Sequence, residues 1–373
     1  MNNPLSKFFS NISILKSNSD NAVGIDIGTS AIKVVEIKKR GGKAVLETYG
    51  AIALGSYAEV ESGRVTNLPI EKTVEALKEV LKQSGVTTVA SAFAIPVQSS
   101  LIFTISLPAQ IKESEIFGIV QTEARKYIPL PITEVSLDYF ILPEKESSFE
   151  ESNDGATTVL STNTEVLVVA IQNDAISKYR SIVSQCNLEA GFFEIEVFSS
   201  VRSNFEHELS LVLLMDFGAS STKLSLVEFG MIKSHHTINR GGAEISASIS
   251  SSLSIPFTKA EEMKKEFGLF ENPAEKSLTD IVKTHVDYIF SETNNVLLGY
   301  EKRYGKTISK VIFTGGGSLL KGLKEVATNN FRAEIEIGNP FSKVGAPEFL
   351  EKVLETTGPE FAVALGLALR KLQ

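Results

Sequence analysis

The spacing of apolar positions changes along this chain, and each change marks an element. Val23 and Ile25 alternate with small residues up to Asp26. Beyond Gly28, Thr29 and Ser30 the apolar run resumes at Ile32, Val34, Val35 and Ile37. This pattern predicts two strands joined by a tight polar turn, in which Gly28 avoids a Cβ clash. Helical spacing over Ile70–Gln83 lines up Leu77, Val80 and Leu81, and Gly85 ends the run. Val86–Ala94 reads as a buried strand stopped at Pro96, and Leu101–Leu107 alternates like a half-buried one. Ile111–Ile128 reads as a helix with Ile116, Ile119, Val120 and Tyr127 on one face, stopped by Pro129 and Pro131. Strands follow over Val135–Leu142 and Glu165–Ile171, separated by the polar stretch Glu144–Thr164, which has the composition of a long hairpin loop. Asn173–Cys186 is a predicted helix that Asn173 or Asp174 can cap. Phe192–Val197 then leads into a helix through Ser199–Glu208.

From Leu213 to Glu228 the opening design returns. Asp26 matches Asp216, Gly28 matches Gly218, Ser30 matches Ser220 and Lys33 matches Lys223. A single repeat of this span predicts two related lobes rather than a solenoid. Gly241 and Gly242 open a helix carrying Ile245, Ile249 and Leu253. Thr258 and Glu261 form a capping-box pattern in a short helix ended by Gly268. Ser277–Tyr304 is a long amphipathic helix and Lys310–Thr314 a strand. The chain then breaks into Gly315–Ser318, with Ser318 placed to cap a helix containing Leu319, Leu320 and Leu323. The final helix, Phe361–Leu369, has a stripe of Ala362, Gly366 and Ala368 suited to close packing at the hinge between lobes.

The organisation expected from these elements has five parts. Residues 1–21 form a tail in which Leu5, Phe8, Phe9, Ile12 and Leu15 share a helical face, either frayed or docking as a short amphipathic helix. Residues 22–100 and 191–210 make the first-lobe core, and 101–190 an α+β subdomain inserted in it. Residues 211–240 and 306–373 make the second-lobe core, with 241–305 as its helical subdomain.

Composition narrows the function classes. With 373 residues, 43% of them hydrophobic, the chain can build more than one core. A net charge of −8 without a basic excess argues against nucleic acid as a partner. Cys186 is the only cysteine, so no internal disulfide forms, and its apolar helix face suits a structural thiol. Adjacent His235 and His236 have poor spacing for sharing a metal. The most apolar run, Phe361–Leu369, falls short of the ~20 residues of a membrane span. The N-terminus has no signal-peptide pattern, and the expected location is cytoplasmic.

The repeated hairpins carry the chemistry. Outward N–H groups and hydroxyls at Gly28, Thr29 and Ser30, and at Gly218, Ala219, Ser220 and Ser221, form anion cradles. Asp26 and Asp216, at the strand ends, are placed to hold a metal ion through water, and Lys33 can reach a phosphate. Two such loops facing each other would grip a polyphosphate from both sides.

In these two loops the chain resembles the actin, Hsp70 and hexokinase superfamily. That resemblance implies an α/β, two-lobed actin-like (ribonuclease H-like) fold binding ATP and Mg²⁺. It further implies that Gly315, Gly316, Gly317 and Ser318 underlie the base, that Glu261 and Lys264 lie on the ribose side with Gly242, and that Glu196 orients the attacking water. An α+β insertion after the Val86–Ala94 strand resembles that of FtsA, the bacterial division actin. More closely, the chain resembles the PilM family of actin-like type IV pilus assembly proteins over nearly all of residues 22–373. The marks are Gly24–Lys33, Glu123–Pro131, Gly241–Gly242, Ala260–Lys265 and Gly315–Ser318. Val197, where the family often has Pro, and the length of Glu144–Thr164 depart from it. The resemblance implies a scaffold at the cytoplasmic face of the inner membrane, held there by partners, with slow or absent ATP hydrolysis. It would bind the N-terminal cytoplasmic tail of a PilN-like bitopic membrane protein in a groove between the first lobe and the insertion, along Glu123, Tyr127 and Ile128. It would thereby link the pilus platform to its motor proteins; whether it forms a homo-oligomer stays open. Two alternatives are an FtsA-like filament former and a small-molecule kinase. FtsA carries a C-terminal membrane-binding helix, whereas this chain stops at Gln373. A kinase needs a second acidic motif between the hairpins, which is not evident.

Overall fold

The computed structural model describes residues 20–108, 111, 113–142, 163–206, 208–270 and 276–372. The amphipathic tail and most of the Glu144–Thr164 loop lie outside the described residues.

Both lobes are built on one sheet plan. In the first, β1 (Asn21–Ile27), β2 (Ala31–Arg40) and β3 (Lys43–Ala53) form an antiparallel meander. After α1 (Ile70–Gln83), β4 (Ala90–Ile95) and, later, β8 (Glu189–Ile195) add in parallel, giving the order β3-β2-β1-β4-β8. The second lobe repeats this with β9 (Val212–Phe217), β10 (Thr222–Glu228), β11 (Met231–Ile238), β12 (Lys310–Thr314) and β13 (Glu334–Ile337), in the order β11-β10-β9-β12-β13. The predicted strand at Val86–Ala94 starts four residues late, at Ala90, because Val86–Val89 form no ladder.

Between β4 and β8 the chain builds a third, antiparallel sheet from β5 (Ser100–Pro108), β6 (Val135–Ile141) and β7 (Asn163–Gln172), in the order β5-β7-β6. It has its own core of Ile105, Leu107, Ile116, Val120, Ala124, Ile128 and Val168, closed by α2 (Glu113–Ala124). This helix is shorter than its periodicity predicts. Backbone turns at Lys126 and Tyr127 end it before the prolines, so Tyr127 leaves the apolar face and is 53% exposed. The next helix, α3 (Asn173–Gln185), sends Ile176, Tyr179 and Ile182 into the first-lobe core beside α1, in one cluster with Leu167, Val169 and Ile171 of β7. No side chain caps it. Asn173 instead accepts the hydroxyl of Ser136 and donates to the carbonyl of Thr133.

In the second lobe α5 (Gly242–Leu253), α6 (Phe257–Phe267) and α7 (Lys276–Tyr304) cover one face of the sheet, and α8 (Leu323–Asn330) precedes β13. Gly315–Ser318 does not lead directly into a helix. A 3-10 turn spans Gly316–Leu319, and Ser318 turns inward to donate to Gly315 O at 2.6 Å. α6 has no capping box. It starts at Phe257, one residue before Thr258, and the Thr258 N–H donates to Glu61 of the first lobe. A short helix α9 (Glu351–Thr357) precedes the last one, α10 (Ala362–Leu372).

The expected second-lobe core, residues 306–373, includes α10. The helix packs instead on the first-lobe sheet, against β1, β2 and β4, and on α4 (Glu196–Asn204). The contact is tight because Gly366 lies on the backbone of α4, where an added Cβ would collide with Ser199 O. Arg202 and Arg370 clamp the fully buried Glu194 from α4 and α10. Burial alone would raise the Glu194 carboxyl, but the two guanidiniums and the Ser199 hydroxyl hold it down at about 2. Gly366→Val is expected to destabilise the fold by about 1–3 kcal/mol or more, as overpacking at a rigid backbone contact does. A urea titration of the purified variant checks this.

Candidate functional site

The two hairpins match in register as well as in sequence. Asp26 pairs with Lys33 across β1 and β2, and Asp216 with Lys223 across β9 and β10. Each turn closes with the same bond, Gly28 N–H to Ala31 O and Gly218 N–H to Ser221 O, both 3.0 Å. Among the described residues, the N–H groups of Thr29, Ser30, Ala219 and Ser220 donate to no other part of the chain. Such paired turns leave donors pointing at whatever lies between them.

Between them is a cavity of about 540 Å³, within the usual range for a ligand site. Its walls include Asp26, Gly28, Thr29, Ser30 and Lys33 from the first lobe. Asp216, Gly218, Ala219, Ser220 and Ser221 enter from the second hairpin. Gly242, Glu261, Lys264, Gly315, Gly316 and Gly317 complete the second-lobe side, and Glu196 lies at the junction of β8 and α4. Ser318 is not in the wall, since its hydroxyl is spent on Gly315. Glu123, Tyr127 and Ile128 lie away from this cavity, on the inserted subdomain.

The floor is strongly charged. The partly buried Asp26 carboxyl is pushed up to about 6, first by desolvation, with Lys33 and Lys223 pulling it down and Glu196 and Asp216 pushing it up. Lys223 donates to Glu196 Oε2 at 2.8 Å and lies 3.3 Å from Asp216 Oδ2. Burial opposes its charge, but Asp216 and Glu196 outweigh that and hold it protonated, above the ordinary lysine range. The second oxygen of Glu196 accepts the Val97 N–H at 2.9 Å, so both its oxygens are engaged. Gln98 of the first lobe donates to the Ser221 hydroxyl at 3.3 Å.

The second-lobe side is fixed by the start of α5. Gly242 N–H and Ala243 N–H donate to Gly218 O and Ala219 O, both at 3.0 Å. Lys264 donates to Gly242 O at 2.9 Å and to Glu261 Oε2 at 2.6 Å, and Ser246 donates to the same carboxylate. Burial lowers the Lys264 ammonium below its usual range. It opposes the Glu261 charge too, but Lys264 and Ser246 hold that carboxyl below its ordinary value. Gly315 has φ +78°, and a side chain there would collide with Asp216. The glycine turn is therefore required by its packing on the second hairpin as well as by any ligand.

Lys223, Gln98, Ser62, Gly63 and Glu360 also line the cavity, and sequence reasoning gave them no role. Lys223 was visible as the repeat mate of Lys33; its contact with Glu196 is a tertiary one. Among the described residues no three His, Cys, Asp or Glu side chains converge to ligate a metal directly. The carboxylates Asp26 and Asp216 beside Lys33 and Lys223 suit a cation held through water between anionic phosphates. No helix among the described residues is long and apolar enough to cross a membrane.

A sequence model of the family described as type IV pilus assembly protein PilM matches residues 24–372. A solved structure titled PilM-PilN type IV pilus biogenesis complex superposes with a TM-score of 0.78 and 24% identity, covering 96% of this chain and 100% of that one. The ethanolamine utilization protein EutJ of Carboxydothermus hydrogenoformans shares the fold at a TM-score of 0.53 and 16% identity, over 96% of this chain and 93% of that one. The cell division protein FtsA of Staphylococcus epidermidis is 25% identical over 366 residues, 88% of this chain and 76% of the relative. The two-lobed α/β architecture is thus that of the actin-like proteins, with an insertion in the first lobe.

The raised Asp26 carboxyl has a consequence for stability. A raised folded-state value means that the proton favours the fold. That contribution is complete below the ordinary value of 3.8 and lost as pH rises through about 6. Asp26→Asn removes the ionisation penalty, so at pH 8 the ligand-free variant should be more stable than the parent by on the order of 2 kcal/mol. The gap should close toward pH 4. Urea titrations of both proteins across this range check the sign.

Proposed function

Because the chain belongs to the type IV pilus assembly protein PilM family, we propose that it is an ATP-binding scaffold of the pilus assembly platform. The observation that carries this is the pair of register-matched hairpins facing one cavity, each with an aspartate, a lysine and unspent N–H donors. Thr29, Ser30, Ala219, Ser220 and Ser221 would receive the phosphates. Mg²⁺, when bound through water to Asp26 and Asp216, would neutralise phosphate charge. Glu261 and Lys264 stand on the ribose side and Gly315–Gly317 beside the base.

Hydrolysis is slow in this reading, because Glu196 is held twice. With one oxygen accepting the Val97 N–H and the other the Lys223 ammonium, the carboxylate is already engaged and poorly placed to orient an attacking water. The nucleotide then serves to bias the angle between lobes rather than to drive turnover. Isothermal titration with ATP·Mg²⁺ should show saturable one-site binding, which Asp26→Ala abolishes, and steady-state turnover should stay below about 1 s⁻¹. Absence of binding by the parent protein would overturn the nucleotide reading.

The partner proposed is the N-terminal cytoplasmic tail of a PilN-like bitopic membrane protein, which would hold the scaffold at the cytoplasmic face of the inner membrane and link it to the pilus motor. The likeness to a structure titled as a PilM-PilN complex supports such a partner. On the inserted subdomain Tyr127 stacks on Phe103 at 4.8 Å between ring centres with half its surface open, and Leu101 is exposed two residues along the same strand. Ile128 is buried in the subdomain core and Glu123 pairs with Lys126, so Tyr127 is the anchor available. Truncating a hot-spot aromatic costs about 2 kcal/mol or more. Tyr127→Ala should therefore weaken binding of a synthetic PilN-tail peptide by more than about tenfold, with ATP affinity unchanged; fluorescence anisotropy of the labelled peptide reads this directly.

A further inference from the structure

One first-lobe segment reaches across the cleft and belongs to none of the motifs. After β3, residues 61–66 are rooted on the first hairpin: Thr66 donates both its N–H and its hydroxyl to Thr29 O, each at 2.8 Å. From there the segment runs to the second lobe. Glu61 Oε1 accepts the N–H of Thr258 at 3.1 Å, in the first turn of α6. Arg64 holds the other oxygen of Glu61 through two nitrogens, at 2.8 and 3.1 Å, and lays its guanidinium over the Phe257 ring at 4.3 Å. Between these ties Ser62 and Gly63 border the cavity. Gly63 has φ +91°, and a Cβ there would lie 3.4 Å from the Phe257 ring and 3.5 Å from Glu261 Cγ. The backbone thus passes close beside the carboxylate that Lys264 and Ser246 lock in place.

We propose that residues 61–66 are a strap that completes the sugar-side wall of the nucleotide site and gates it, with Ser62 and Gly63 as binding residues and the Glu61 and Arg64 ties setting how fast nucleotide leaves. The proposal rests on the nucleotide reading above. α6 carries Glu261 and Lys264, and Thr29 belongs to the first phosphate turn, so the strap joins the two ends of a bound nucleotide through the protein. A ligand between them leaves by the sugar side only when the lobes part there, and parting breaks the Glu61–Thr258 bond and the Arg64–Phe257 stack together. The Glu61 and Arg64 side chains are 35% and 40% exposed and each contact is individually weak, so the strap opens without unfolding either lobe. Their simultaneous loss is what slows release.

The test uses the full chain with Glu61→Ala and Arg64→Ala combined, and a fluorescent N-methylanthraniloyl-ATP with Mg²⁺ as probe. Stopped-flow displacement should show dissociation about tenfold faster than from the parent, the scale of losing two contacts of this class, with an unchanged thermal unfolding midpoint. An equal dissociation rate overturns the gate. A second measurement is independent of nucleotide. Spin labels at Lys82→Cys in α1 and Glu262→Cys in α6, with Cys186→Ser, report the distance between lobes by pulsed electron resonance. The distribution should be narrow in the parent and broaden when Glu61 and Arg64 are removed; an unchanged distribution overturns the strap itself. A parent protein that fails to bind the probe defeats the nucleotide reading, and the distance measurement then decides the interlobe tie alone.

Discussion

The Lys223 ammonium joins the two lobes at the floor of the cleft. Asp26, Asp216 and Glu196 converge at its floor in a site largely removed from water, where like charges repel strongly and isolated ones are costly. Lys223 makes the arrangement stable by touching two of the three and raising the charge balance at the third. It comes from the second lobe, whereas Glu196 belongs to the first, so the same contact that neutralises the floor ties the lobes. Electrostatics and lobe geometry are therefore one variable here. An anion that draws Lys223 away loosens the tie, and a cation that satisfies the carboxylates relieves the need for it.

What the sequence revealed and what it concealed follow from range. The hairpins were legible because their logic is local: alternation, a turn glycine, and an aspartate and lysine that fall opposite each other in any antiparallel pair closed by that turn. Their repetition carried the two-lobed plan, and the sheets extend the repeat through all five strands. Misread features were those decided by distant partners. Thr258 looked like the first half of a capping box, but its N–H is met by Glu61, 197 residues earlier. Ser318 looked like a cap and became a turn brace. Tyr127 sat in phase with Ile116 and Val120, yet the helix ended first and turned it outward. Glu196 was picked out by its place between the hairpins, whereas its two partners, Val97 and Lys223, come from different lobes.

The same distinction separates the rigid from the movable parts. Glu194 with its two arginines and the Gly366 contact lock α10, α4 and the first sheet into one body, since breaking a buried ion cluster leaves uncompensated charge inside. The ties across the cleft are single contacts: Lys223–Glu196 and Gln98–Ser221 at the floor, and Glu61–Thr258 with Arg64–Phe257 at the strap.

The position of α10 also orders the birth of the molecule. It covers the face of the first sheet formed by Ala92, Ala94 and Phe192, with Val363 and Leu367 filling the gap, yet it follows the whole of the second lobe along the chain. A ribosome extends the chain by about 5–20 residues per second, with N-terminal domains folding first where they can. This first lobe cannot finish that way. Its sheet carries a bare apolar face throughout synthesis of the second, and is covered only once α10 has left the exit tunnel.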